Sequence, residues 1–218
     1  MPRSKVATLD QALAKCHDGM TVMLGGFTNV GSPNKFCRAL ADTGIKDLHI
    51  IANDAGNDKA DGIGTFIVGG RASSLVASHV GLNPKVAEQM NVGTLAVTLV
   101  PQGTLAERIR CGGCGLGGVL TPTGVGTIVA EGKQEIVVDG KTYLLETPLR
   151  AEVAIVKAWK ADTSGNLVYR RAGKNFNPMM AMAADFVIAE VEEIVEVGQI
   201  DPDQVCTPGA CVDMVVQL

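Results

Sequence analysis

The chain has 218 residues, 46% of them hydrophobic, and a formal net charge of −4. That length can bury the core of one domain, or of a large domain with a minor lobe, and the composition is too apolar for a disordered chain. The acidic balance without a basic stripe argues against nucleic acid as the main partner, and no apolar run is long enough to span a bilayer. Residues 1–6 carry no signal-type apolar region, so the cytoplasm is the expected compartment. An anionic small ligand stays open, because backbone N–H groups can hold one locally.

Apolar residues at Leu9, Ala12, Leu13 and Cys16 predict an amphipathic helix over 9–17. The run Thr21–Leu24 predicts a strand covered on both faces, stopped by Gly25 and Gly26. Ser32 and Pro33 then read as N-cap and first residue of a helix that closes at Gly44. Residues 47–52 read as a second strand, ending at Asn53 and Asp54. Helix, strand, helix, strand predicts a parallel sheet with a right-handed crossover. Ligands of such sheets sit outside the carboxyl ends of the strands, where Gly25 and Gly26 fall. The glycines alone leave a ligand site and a plain turn equally open.

Residues 66–68 fit either a short helix or a strand. A strand is expected over 73–78, a helix over 85–90 started by Asn83 and Pro84, and a strand over 95–100. A helix over 105–110 leads into the glycine tract 111–118. Gly113, Gly115 and Gly118 satisfy G-x-G-x-x-G, but the tract follows a helix, and Pro122 bars a regular helix after it. A dinucleotide cofactor is therefore not expected, and a mobile or closely packed glycine loop is. Asp139-Gly140 between two β-rich runs predicts a type I′ hairpin over 134–146, in a small lobe around 116–147. Strands over 151–158, 167–169 and 185–190, a turn at 162–166, a helix over 178–184 and an apolar run at 212–216 complete the chain. The expected architecture is a single α/β domain over 1–218. It has an open, mostly parallel sheet, helices on both faces, and a small antiparallel β lobe.

Residue chemistry alone names no nucleophile. The three histidines are far apart, and the six scattered cysteines read as reduced thiols. Cys111 and Cys114 form one C-x-x-C without the second pair a metal site needs, and their role stays open. Glu107, Glu131, Glu146, Glu152 and Glu190 are the candidate nucleophiles or bases, with Glu107 at helical spacing from Arg108 and Arg110 and read as a solvated or paired surface group. Ligand-cradling loops without a nucleophile suit half of an enzyme or a binding protein.

Several blocks then carry a resemblance. They are Asp18-Gly19, Gly25-Gly26-Phe27, Gly31-Ser32-Pro33, Ile51-Ala52-Asn53-Asp54, and Pro101-Gln102-Gly103-Thr104 through Arg110. Gly112-Gly113, Thr121-Pro122-Thr123-Gly124, Asn175-Phe176-Asn177-Pro178 and Thr207-Pro208-Gly209 follow. In this order they span nearly the whole chain and resemble the family I coenzyme A transferases, in particular the α (alpha) subunits of the short-chain acyl type acting on acetate, butyrate or acetoacetate.

The resemblance implies a ping-pong exchange of CoA between acyl-CoA and a carboxylate through a glutamyl thioester. The nucleophilic glutamate would lie in a β subunit, within an α2β2 heterotetramer, and CoA would be a substrate, with no cofactor and no metal. Gln102 would stand near the reacting carbonyl, either donating to its oxyanion or fixing its own loop. Gly25, Gly26 and Phe27 would shape the strand-end turn. Asn53 would touch substrate or hold its turn, and Gly103, Gly112, Gly113 and the 121–126 loop would line the entrance. Cys114 departs from the family pattern in the glycine tract, which bears on packing alone. The rival readings are a sugar-phosphate isomerase or deaminase on a similar scaffold, which needs a general base beside a phosphate loop, and a non-catalytic acyl-CoA or carboxylate sensor.

Overall fold

Residues 3–218 are described by a computed structural model. In chain order the elements are α1 (Leu9–Leu13), β1 (Thr21–Leu24), α2 (Asn34–Asp42), β2 (Leu48–Ala52), α3 (Gly64–Val68), β3 (Ala72–Ala77), α4 (Pro84–Asn91), β4 (Ala96–Leu99) and α5 (Gln102–Cys114). After these come β5 (Val119–Thr121), β6 (Glu135–Val138), β7 (Lys141–Glu146), β8 (Ala151–Asp162), β9 (Leu167–Val168), α6 (Asn177–Met182), β10 (Ala184–Val195) and β11 (Met214–Gln217).

The main sheet runs β11-β10-β8-β1-β2-β3-β4, with all of these pairs parallel and β9 antiparallel on the end of β8. The chain winds outward from β1 through β2, β3 and β4. It then returns to lay β8 against the other side of β1 and winds out through β10 and β11. Strand order therefore reverses between β1 and β8, the place where open α/β sheets leave a crevice for ligands.

The residues of β1 show why the sheet is covered on both faces. Val22 and Leu24 join a cluster with Phe36, Leu40, Phe66 and Leu75 under α2 and α3. Met23, between them, joins the opposite cluster with Leu105, Ile109 and Met180 under α5 and α6. Alternation along one strand feeds two cores, so the run must be apolar throughout. The separate β5-β7-β6 lobe carries the expected hairpin: Val138 pairs with Lys141, and Asp139 and Gly140 hold φ of 49° and 74°. Positive φ at both central positions is the type I′ requirement.

Three expectations need correction. The glycine tract is not a loop at its start, because α5 continues through Gly112 and Gly113 to Cys114. A Cβ on Gly112 would lie 2.0 Å from the Leu149 carbonyl oxygen, and one on Gly113 would lie 2.7 Å from Met182 Cβ. These glycines let α5 approach its neighbours closely, and that packing outweighs their poor helix propensity. Second, Pro33 rather than Ser32 is the N-cap of α2, and Ser32 is buried against Gly26. Third, α1 stops at Leu13, after a capping box closed by Thr8 and Gln11 at its start. The ambiguous run 66–68 is helical, as the end of α3.

The turn after β8 depends on Asp162, whose buried carboxylate accepts from Ser164 N (3.0 Å), Ser164 Oγ (2.8 Å), Asn166 N (3.0 Å) and Asn166 Nδ2 (2.7 Å). Burial alone would raise its pKa, but the hydrogen bonds outweigh it and hold the carboxyl below its ordinary value. The charged form therefore stabilises the fold above the unfolded pKa of about 3.9, and this contribution is lost as pH falls through the lower folded value. Asp162→Ala should cost about 1–3 kcal/mol in urea denaturation at pH 7, with the gap to the unsubstituted chain narrowing below about pH 4. A gap unchanged down to pH 3 would contradict this.

Candidate functional site

The carboxyl ends of β1, β2 and β4 present most of the residues singled out from sequence. At the end of β1, Gly25 lies against Asn177, the first residue of α6 and fully buried. The Asn177 Oδ1 accepts from Lys157 N (2.9 Å), and its Nδ2 donates to Gly31 O (2.9 Å) and Gly173 O (2.8 Å). A Cβ on Gly25 would lie 1.9 Å from that Oδ1. Position 25 must be glycine because a hydrogen-bonded amide already fills the space.

Beyond Gly26, Phe27 and Val30 pair across a tight turn, with N–H to carbonyl distances of 3.0 and 2.9 Å. Its central residues Thr28 and Asn29 hold φ of 43° and 69°. A β-branched residue there is strained, and the Thr28 N–H is held by Asp54 Oδ2 at 2.8 Å. Phe27 is left exposed beside this turn.

Asn53 is buried at the end of β2 and holds its turn. Its Nδ2 donates to Asp54 Oδ2 (2.8 Å) and its Oδ1 accepts from Ser78 Oγ (3.2 Å), while Asp54 Oδ1 accepts from Gly56 N (2.8 Å). Both ends of the Asn53 amide are committed within the chain.

Gln102 differs in this respect. It opens α5 directly after β4, is exposed, and makes no side-chain hydrogen bond among the described residues. It does not fix its own loop. The N-cap of α5 is Pro101, which offers no side-chain acceptor, so the first-turn N–H groups and the positive end of the helix dipole face outward. Gly103 and Thr104 line a cleft of about 260 Å³ together with Leu120, Thr121 and Thr123 from the lobe. The structure thus brings Gly103 and the start of the 121–126 loop together beside Gln102. Gly112 and Gly113 lie farther along α5, packed against 149 and 182 rather than lining that cleft.

Four of the five candidate glutamates are engaged within the chain, while Glu131 is exposed and has no side-chain partner among the described residues. Glu190, buried, accepts from Phe36 N (2.8 Å) and pairs with Lys157 (3.0 Å). Glu146, buried, pairs with Lys133 and with Arg108 at 3.7 Å, tying the lobe to α5. Glu152 accepts from Thr21 N, and Glu107 pairs with Arg110 at 2.7 Å, while Arg108 turns to Glu146. All six cysteines are free. Burial pushes the Cys16 thiol up to about 12, and burial together with Glu190 pushes Cys37 well above its usual range. Among the described residues no group of three or more His, Cys, Asp or Glu side chains could hold a metal ion, and no helix is long and apolar enough to cross a membrane.

Sequence reasoning missed a second, larger cavity. About 550 Å³ opens past the carboxyl end of β1, against residues 157–159 within β8 and Glu190 and Glu192 within β10. Its walls come from segments far apart in the chain, and the only local hint was the basic run Arg170-Arg171 with Lys174.

A family model described as "Coenzyme A transferase" matches residues 6–218. The alpha subunit of acetate CoA-transferase from Escherichia coli (strain K12) is 50% identical over 214 residues, covering 98% of this chain and 97% of the relative. The acetoacetyl-CoA:acetate/butyrate CoA transferase alpha subunit of Clostridium acetobutylicum is 44% identical, covering 98% of each. The chain belongs to the coenzyme A transferase family. Its fold is shared with an acyl-CoA transferase from E. coli O157:H7 solved as a thioester complex with CoA (TM-score 0.87, 21% identity). There this chain is covered over 99% of its length but spans only 47% of the other. Glutaconate coenzyme A-transferase from Acidaminococcus fermentans is similar (TM-score 0.85, 23% identity, 98% of this chain and 75% of that one).

The Asn177 wedge makes a specific prediction for the β1 turn. Gly25→Ala should destabilise the chain by about 1–3 kcal/mol, and the same substitution should cost at least about 1 kcal/mol less when Asn177 is already alanine. Chemical denaturation of the four proteins measures the coupling; strictly additive costs would contradict the clash.

Proposed function

We propose that this chain is the non-nucleophile half of a short-chain acyl-CoA:carboxylate CoA-transferase. It works with a β subunit in an α2β2 assembly and uses acetoacetyl-CoA or butyryl-CoA with a carboxylate such as acetate. The observation that carries the reading is Gln102. Its amide is exposed and uncommitted at the positive end of α5, beside a cleft, while the buried glutamates are locked in structural pairs.

In the proposed reaction a β-subunit glutamate carboxylate attacks the thioester carbonyl. The C–S bond breaks, CoA leaves as thiolate, and an acyl-glutamyl anhydride remains. The thiolate attacks the glutamyl carbonyl, releases the first carboxylate and leaves a glutamyl-CoA thioester. An incoming carboxylate repeats the two steps in reverse. Each attack places negative charge on a carbonyl oxygen. The Gln102 N–H and the first-turn amides of α5 would donate to that oxygen, the preorganised kind of stabilisation that usually dominates acyl transfer. Gly103 would leave room for the substrate backbone at the cleft, and the Gly25-Gly26-Phe27 turn would form the adjoining wall. Asn53 acts through the turn it holds, and Gly112 and Gly113 through the seating of α5. CoA enters as substrate, and the six free thiols suit a reducing, cytoplasmic setting. No observation favours the isomerase or the sensor reading.

Co-purified with its β subunit, the chain should exchange CoA between acetoacetyl-CoA and acetate, and alone it should give none. Gln102→Ala in the assembled enzyme should lower kcat by about 10²–10³-fold with the complex intact. Turnover by this chain alone, or an unchanged kcat in the variant, would contradict the reading.

A further inference from the structure

The cleft beside Gln102, between the start of α5 and the lobe, holds about 260 Å³, less than a drug-sized ligand needs and room for a short acyl chain. Pro101, Val119 and Leu120 give it apolar walls. The charged side chain on its lining is Glu107, already paired with Arg110 at 2.7 Å, and among the described residues no lysine or arginine lines it. An acyl chain ending in a second carboxylate would meet an acid there and no cation, which disfavours it. The walls suit an uncharged chain.

One polar group in this cleft is unmet. Thr104, on the first turn of α5, lines it and is 4% exposed. Its Oγ1 is buried and has no hydrogen-bond partner among the described residues. A helical threonine ordinarily turns this hydroxyl onto a carbonyl three or four residues back, and Thr104 does not. Thr121, across the cleft, is committed by contrast: its Oγ1 accepts from Thr123 N at 3.2 Å. Buried polar atoms are nearly always satisfied, and one left unpaired costs the desolvation of the group. The Thr104 hydroxyl can donate as well as accept, so a carbonyl oxygen on a bound chain is a partner it can take.

We infer that, on the transferase reading above, this cleft is the acyl pocket and Thr104 its specificity-determining residue, selecting a short 3-oxoacyl chain. With the thioester carbonyl at Gln102, the acyl chain runs into the cleft past Gly103, and the Thr104 hydroxyl donates to the oxygen on C3. Acetoacetyl carries that oxygen. Butyryl has a methylene in its place and leaves the hydroxyl buried and unpaired, so the site discriminates against it. An apolar pocket without the hydroxyl would separate the two chains far less.

The test uses the assembled enzyme, acetate as acceptor, and two thioesters, acetoacetyl-CoA and butyryl-CoA. In Thr104→Val, which keeps the shape of the side chain and removes the hydroxyl, the ratio of kcat/KM for the first to that for the second should fall about tenfold. Thr104→Ser, which keeps the hydroxyl, should hold the ratio within about threefold of that of the unsubstituted enzyme. A loss of folded enzyme lowers both rates and cancels in the ratio. An unchanged ratio in the valine variant overturns the assignment. So does an equal fall in the serine variant, which would trace the effect to the methyl group. Should the valine variant not assemble, Thr104→Ala is read the same way. Calorimetric titration with the two thioesters separates the pocket from the reading it rests on. If the unsubstituted complex exchanges CoA with neither thioester, the transferase reading falls. The pocket then stands if the valine substitution weakens acetoacetyl-CoA binding about tenfold relative to butyryl-CoA binding, and it is overturned if the two are weakened alike or not at all.

Discussion

The buried carboxamide of Asn177 is the contact on which the geometry of this molecule turns. One side chain joins the backbone of β8 at Lys157, the β1–α2 turn at Gly31 and the basic loop at Gly173. Lys157 lies in β8 just past its last pairing with β1, so the amide fixes the β1–α2 turn and the basic loop against the stretch of β8 that β1 leaves uncovered. A fully satisfied buried amide does this more sharply than apolar packing, because each hydrogen bond has a length and a direction. Gly25 follows from it, since no side chain fits where the Asn177 oxygen stands. The Phe27–Val30 turn follows in its place, and the strained Thr28 is tolerated because Asp54 holds its N–H.

A second consequence is the division between spent and unspent polar groups. Along the carboxyl edge, Asn53, Asp54, Asn177 and Glu190 have their hydrogen-bonding capacity filled from within the chain. Gln102, the first turn of α5, Lys35 and Arg171 do not. The first group builds the scaffold, and the side chains of the second have no partner among the described residues. A catalytic carboxylate would need a poised, accessible acid, and the buried acids here are held in pairs. Relatives of this chain are named as alpha subunits.

Much of this could be read from the chain wherever the signal was local. Thr21–Leu24 announces a two-faced strand because each successive residue has its own core to enter, and Asp139-Gly140 announces its hairpin because the turn needs positive φ at both positions. The Gly112-Gly113 pair was misread because glycine serves two opposite ends: it loosens a loop, or it lets a helix approach a carbonyl closely, and only the neighbour at 149 decides between them. The role of Asn53 divided in the same way, and its bond to Ser78 lies with a residue just past the next strand. The large cavity was invisible because its walls come from residues 29–35, 157–159, 169–173 and 190–192, segments that meet only when β1, β8 and β10 lie side by side.

The central claim is that this chain shapes and stabilises an acyl transfer whose covalent step occurs on another chain. The most direct measurement is intact-mass spectrometry of the two subunits after the assembled enzyme is mixed with acetoacetyl-CoA and quenched without acceptor carboxylate. The account predicts a CoA adduct on the β subunit, with none on this chain. A CoA adduct on any glutamate of this chain would contradict it.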